Sequence, residues 1–249
     1  MGDEKLPLTG HLEELRNRII ICIAAVGIGF SISYLFSEKL FLILSRPLNV
    51  LLPEGNSFIF TNITEAFFTY LKLSFFAGIF IASPVILYEI WCFVVPGLYD
   101  TEKRYLFPFV FFSSIFFIGG TSFGYFVVFP LAFKFFIGFN SEYIRMLPSI
   151  KEYLSFSCKF LLAFGIVFEL PVFILFLSKL GIVNEKQLRS SRKFIIVIVF
   201  IIAAFLTPPD VVSQVLMAIP LIGLYEISIV VARIFGKKKE KEKEKEETG

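Results

Sequence analysis

Three carboxylates carry most of the chemistry that this sequence offers: Glu14, Glu102 and Glu169. Glu169 lies in Phe164-Gly-Ile-Val-Phe-Glu-Leu-Pro171, near the middle of a long apolar run. An acid at helix-centre depth costs roughly 2.5–3.5 kcal/mol on insertion scales, so it marks a function or a partner helix. Its plain alternative is a structural hydrogen bond to a neighbouring helix. Glu14 sits before the first apolar run, where an ordinary solvated helix face would also explain it. Glu102 sits in Trp91-Cys-Phe-Val-Val-Pro-Gly-Leu-Tyr-Asp-Thr-Glu-Lys-Arg104, a short charged hinge between two apolar runs. Pro96 and Gly97 stop a helix there, Trp91 suits the membrane–water interface, and Lys103-Arg104 anchors the next helix. A bare turn needs no acid, so Glu102 reads as half of a recognition site.

Other chemistries are poorly served. No Gly-x-x-x-x-Gly-Lys-[Ser/Thr] run exists for a nucleotide motor. His11 is the sole histidine and lies outside the apolar runs, which excludes an intramembrane Ser–His dyad. No aspartate pair falls within a span. Cys22, Cys92 and Cys158 lie in or beside apolar segments without metal-ligand spacing, as small buried hydrophobes do. No enzyme activity, cofactor, metal or nucleic-acid partner is expected.

The elements that must hold these acids are membrane helices. The chain has 249 residues, 56% of them hydrophobic, with 34 phenylalanines and a mean hydropathy of +0.78. Apolar runs predict spans at 19–36, 67–95, 106–136, 153–180, 194–206 and 211–232. The fifth run, about 20 Å of helix, falls short of a roughly 30 Å hydrocarbon core, so the last two spans form a short hairpin that thins the bilayer. Before the first span, residues 1–18 read as a cytoplasmic amphipathic segment with Leu8, Leu12 and Leu15 on one stripe, and not as a cleaved signal peptide. The longest loop is expected at 37–64. Pro84, Pro171 and Pro220 predict kinks, Lys72 is placed to snorkel, and Gly119, Gly120 and Gly124 suit close helix approach.

Orientation follows from the basic residues. Arg16, Arg18, Lys103, Arg104, Lys186, Arg189, Arg192, Lys193 and Arg233 fall on one side of a six-span chain, which puts both termini in the cytoplasm. The domain plan is therefore a segment at 1–18, a six-helix domain at 19–235 and a charged tail at 236–249 that stays in water.

Five ordered motifs resemble one family. His11-Leu-x-Glu-Leu-Arg16, Ala82-Ser-Pro-Val-Ile-Leu-Tyr88, Pro96-x-Leu-Tyr-x-x-Glu-Lys-Arg104, Phe164-Gly-x-x-Phe-Glu-x-Pro171 and Thr207-Pro-Pro-Asp-Val211 are similar to TatC, the multi-span core of the twin-arginine protein translocase. The resemblance runs from about Leu8 to Arg233. It implies an all-α membrane protein of six helices, the fifth and sixth short, in a curved, glove-like wall of the cell membrane. It implies export of folded proteins driven by the proton-motive force. It also implies that Glu14 and Glu102, with Leu12, Arg16, Pro96, Leu98, Tyr99 and Arg104, bind the arginine pair of a signal peptide. Glu169 and Gln214 would then meet the single-span partners TatA and TatB, and the chain would oligomerise with itself. Gly97 where alanine is common, and Ala66 where proline is common, are small departures that leave the acids untouched.

The physics agrees with that role. A carboxylate accepts the planar fork of arginine bidentately, whereas lysine is a point charge. Exposed ion pairs contribute only about 0–1 kcal/mol each, so affinity requires partial desolvation and apolar contacts with the signal. Two other classes remain: a proton-coupled transporter using Glu169, for which no internal repeat is visible, and a scaffold that needs Glu169 but neither Glu14 nor Glu102.

Overall fold

A computed structural model of the chain describes residues 8–52, 58–59, 62–94, 106–138, 147–207 and 210–236. Among them the structure is helical apart from short turns and one isolated parallel bridge, Ile59 to Ser149. The helices are α1 (Leu8–Leu35), α2 (Ser37–Asn49), α3 (Glu65–Val94), α4 (Leu106–Phe123), α5 (Phe129–Ile137), α6 (Ile150–Phe168), α7 (Leu170–Lys179), α8 (Glu185–Leu206) and α9 (Val211–Phe235). The fold class is all-α, as the apolar runs require. Among the described residues, five stretches are long and apolar enough to cross a membrane: Gly10–Leu35, Glu65–Val94, Phe107–Ile137, Ile150–Lys179 and Val211–Phe235. The expected fifth run, 194–206, is the apolar end of α8, whose first two turns are charged.

Three expectations change. The amphipathic segment at 1–18 is not a separate element: from Leu8 onward the helix runs unbroken through Arg18 into the first span. Neither glycine nor proline interrupts 11–26, so nothing in the backbone stops it. The expected loop at 37–64 begins instead with α2, which buries Leu44 and Leu48. Apolar residues recur at helical spacing there, and α2 continues through Pro47 although its ring removes one helical N–H near the C-terminal end. The sixth span is not short, since α9 has 25 residues, or about 37 Å of helix.

The chain forms two compact units, Met1–Ile115 with Asn140–Cys158, and Phe116–Phe139 with Lys159–Gly249. In the first, α1 and α3 lie antiparallel: His11 meets Phe93, Arg18 meets Glu89 and Gly29 meets Gly78. The two glycines let the backbones touch. A Cβ on Gly78 would stand 2.6 Å from the Phe30 nitrogen, and one on Gly29 would stand 2.7 Å from the Gly78 oxygen. Gly78→Ala therefore destabilises the protein by about 1–3 kcal/mol, the usual cost of overpacking, seen as a lower melting temperature in detergent. Gly119→Ala, whose Cβ meets nothing within 4 Å, leaves the melt unchanged.

Several polar side chains inside this unit find partners within their own helix or on a neighbouring one. The ring of Pro84 removes the N–H that would bond the Phe80 carbonyl, and the Ser83 hydroxyl donates to that oxygen at 2.8 Å. The helix continues through Pro84. Trp91, expected at the interface, is buried instead. Its ring stacks on Phe109 at 5.0 Å and its N–H donates to Ser113 Oγ at 2.9 Å, which satisfies the indole without water. Lys72 does not reach outward alone; its ammonium donates to Ser155 Oγ at 2.7 Å.

In the second unit, Gly120 and Gly124 admit Phe164 and Phe168, while Gly119 faces open space. Gly165 does the same for Phe117. A π turn at Gly124–Val128 links α4 to α5, and the Phe129 N–H bonds back to the Gly124 carbonyl. Asn184 and Gln187 form a capping box that starts α8, and the Asp210 carboxylate accepts the Ser213 N–H at 2.7 Å to start α9. Ile174, Leu188, Tyr225, Ile229 and Ala232 make the core where α7, α8 and α9 meet, with the Tyr225 hydroxyl donating to the Leu188 carbonyl. Among the three prolines expected to kink spans, Pro171 alone falls where one helix ends and another begins; α9 continues through Pro220.

Candidate functional site

Glu14 and Arg18 are one helical turn apart on α1, so both side chains project on one face. Glu89, five residues before the end of α3, faces them. Arg18 donates from Nε (3.0 Å) and Nη2 (2.5 Å) to Glu14 Oε1, and from Nη1 to Glu89 Oε2 at 2.8 Å. Glu89 is only 7% exposed. A carboxylate buried to that degree is costly without a counter-charge, and Arg18 supplies it. The other Glu14 oxygen, Oε2, faces His11 Nδ1 at 3.9 Å. His11 itself stacks on Phe93 at 4.3 Å and closes the same end of the α1–α3 pair, a structural role.

The cluster thus contains two carboxylates and one guanidinium. One Glu14 oxygen is used twice by Arg18, and the other accepts no hydrogen bond from it. Glu14 remains partly open to the surroundings, at 25% side-chain exposure. Leu12, two residues earlier on α1, is 65% exposed on a different face of the helix. Arg16 lies off the cluster in an exposed contact with Glu13 at 3.6 Å, a pairing that contributes little. Glu102, Pro96, Leu98, Tyr99 and Arg104 lie outside the described residues.

The second group of predicted residues sits in the other unit. Glu169 is half-buried at the break between α6 and α7. Its N–H donates to the Ile166 carbonyl at 3.1 Å and its carbonyl accepts the Phe173 N–H at 2.9 Å. Pro171 denies the Val167 carbonyl its helical N–H, which explains why the helix breaks beside the acid. Gln214 is half-buried on α9, and its amide donates to the Phe200 carbonyl at 2.9 Å, tying α9 to α8.

Sequence reasoning named three membrane carboxylates and missed Glu89. The signal was present: Glu89 stands inside an apolar run, where the argument used for Glu169 applies equally. Its counter-charge, Arg18, is 71 positions away and was read only as a flank. Glu226, at 2.6 Å from Arg192 between α9 and α8, was missed in the same way.

Known proteins match this chain over most of its length. The family model for the Sec-independent protein translocase protein (TatC) fits residues 10–220. The chain belongs to the TatC family. It is 55% identical over 238 residues to the Sec-independent protein translocase protein TatC of Desulforapulum autotrophicum, spanning 96% of this chain and 88% of that one. It is 40% identical to the Escherichia coli TatC over 241 residues, 96% and 93% of the two chains. A crystal structure of the twin arginine translocase receptor TatC superposes with a TM-score of 0.83 at 45% identity, covering 90% of this chain and 98% of the other. As a TatC-family member the chain is a membrane transport subunit of a protein translocase and not an enzyme. The motifs that resemble TatC in the sequence therefore reflect true membership, from the start of α1 to the middle of α9.

Proposed function

We propose that this TatC-family chain is the receptor and core subunit of a twin-arginine export system in the cell membrane. Both termini face the cytoplasm. The signal peptide of a folded substrate docks at the cytoplasmic ends of α1 and α3, where Glu14 and Glu102 take its two arginines. Leu12, Pro96, Leu98 and Tyr99 supply apolar contact, while Arg16 and Arg104 anchor the surrounding chain. Single-span TatA and TatB subunits assemble beside Glu169 and Gln214, and the proton-motive force drives translocation.

The observation that carries this reading is the Glu14–Arg18 contact, in which Glu14 already accepts a guanidinium at 2.5 and 3.0 Å. That carboxylate is thus suited to a guanidinium, and its second oxygen accepts no hydrogen bond from Arg18. The placement of Arg18, Arg189, Arg192 and Arg233 supports the orientation.

Export of a folded reporter carrying a twin-arginine signal tests it, in cells whose own copy of the subunit is deleted. The full chain restores export, and so does a chain ending at Gly236, because 237–249 has no apolar pattern to dock. Glu102→Ala inserts normally yet exports nothing. Full export by Glu14→Ala, Glu102→Ala and their combination would reduce the chain to a scaffold.

A further inference from the structure

We propose that Glu89 sets the charge of the Glu14 site: it takes up the charge of Arg18 and so leaves Glu14 negative for an arriving guanidinium. This rests on the reading of Glu14 as an acceptor of a signal arginine. On α1 alone, Arg18 would be the natural ligand of Glu14, since the two are spaced for a helical ion pair. Such a pair is neutral and has little reason to admit a second arginine. Glu89 changes that balance. It approaches from α3, is 7% exposed, and binds Arg18 at 2.8 Å through a nitrogen that Glu14 does not use. With it the trio carries one uncompensated negative charge.

The geometry places that charge where a ligand can use it. Glu89 is sealed between helices, whereas Glu14 is 25% exposed at the side chain. Both Arg18 nitrogens on Glu14 converge on Oε1, so Oε2 is the oxygen left for a newcomer. His11 stands 3.9 Å from that oxygen. A signal arginine can therefore bind Glu14 without expelling Arg18, and the α1–α3 contact persists while the site is filled. Glu89 is a positioning residue: it acts through Arg18 and touches no substrate.

The test is equilibrium binding of a synthetic twin-arginine signal peptide to the purified full chain in detergent. The variants are Glu89→Gln, Arg18→Gln/Glu89→Gln and Glu14→Gln. Glutamine at 89 keeps the shape and can still accept from Arg18, but the trio becomes neutral. Glu89→Gln then binds about tenfold more weakly, the scale of one charge-assisted hydrogen bond. Arg18→Gln/Glu89→Gln returns the trio to its original charge and recovers most of that loss. A purely structural role for Glu89 cannot produce this rescue. Wild-type affinity in Glu89→Gln, or equal weakness in the single and double variants, overturns the proposal. A melt of each variant separates lost folding from lost charge, and the double variant decides the matter if Glu89→Gln does not fold. If Glu14→Gln binds normally, the parent reading of Glu14 falls; if it fails while Glu89→Gln is unaffected, only the inference about Glu89 falls.

Discussion

Glu169→Ala recovers TatA or TatB about three- to tenfold less efficiently than the unaltered chain, the range that one interhelical polar contact in a bilayer supports. The acid lies inside the apolar stretch Ile150–Lys179, where a polar group is kept for a partner or a pathway. Its backbone position is fixed by the break that Pro171 imposes, so its side chain is presented at a defined point between α6 and α7. Glu169→Gln retains a hydrogen-bonding head and is milder. Signal-peptide binding survives both changes, because Glu14 belongs to the other compact unit. Site-specific cross-linking to both partners, read beside reporter export, checks this; unaltered cross-linking and export in Glu169→Ala would remove the contact.

The sequence was most legible where one physical rule acts alone. Apolar runs longer than a bilayer is thick can be nothing but membrane helices, and α3, α4 with α5, α6 with α7, and α9 lie where those runs predict. Misreadings came where two rules competed. The charged face of 8–18 looked like a surface helix, but no breaker separates it from the span, so α1 continues. Residues 37–64 read as a loop, yet Leu44 and Leu48, one helical turn apart, are buried on α2. Trp91 has the composition of an interface anchor, and only Ser113, on another helix, made burial affordable.

The candidate site was half legible for the same reason. Glu14 could be seen because its motif is short and contiguous. Glu89 could not, since its meaning depends on Arg18 across the antiparallel α1–α3 pair, which no local pattern announces. The glycines show the same limit. Gly120 and Gly124 were recognisable as a cluster of small residues, while Gly29 and Gly78 each look ordinary until they are brought together.

Removing both acceptors has the largest expected effect. Glu102→Ala loses signal binding by at least about tenfold, and Glu102→Gln is nearly as defective, because an amide keeps the shape but not the charge-assisted bond. Glu14→Ala costs less, since the Glu14 carboxylate is already shared with Arg18. The protein still folds in Glu14→Ala: Arg18 retains Glu89, so α1 and α3 stay joined.

The most direct measurement compares an arginine-pair with a lysine-pair signal for binding to the wild-type chain, Glu14→Ala, Glu102→Ala and the double variant. Lysine keeps the charge but lacks the fork, so the wild-type chain prefers arginine. That preference shrinks in each single variant and disappears in the double one. A double variant that still prefers arginine as strongly as the wild type would contradict the account, and the arginine pair would then be read elsewhere.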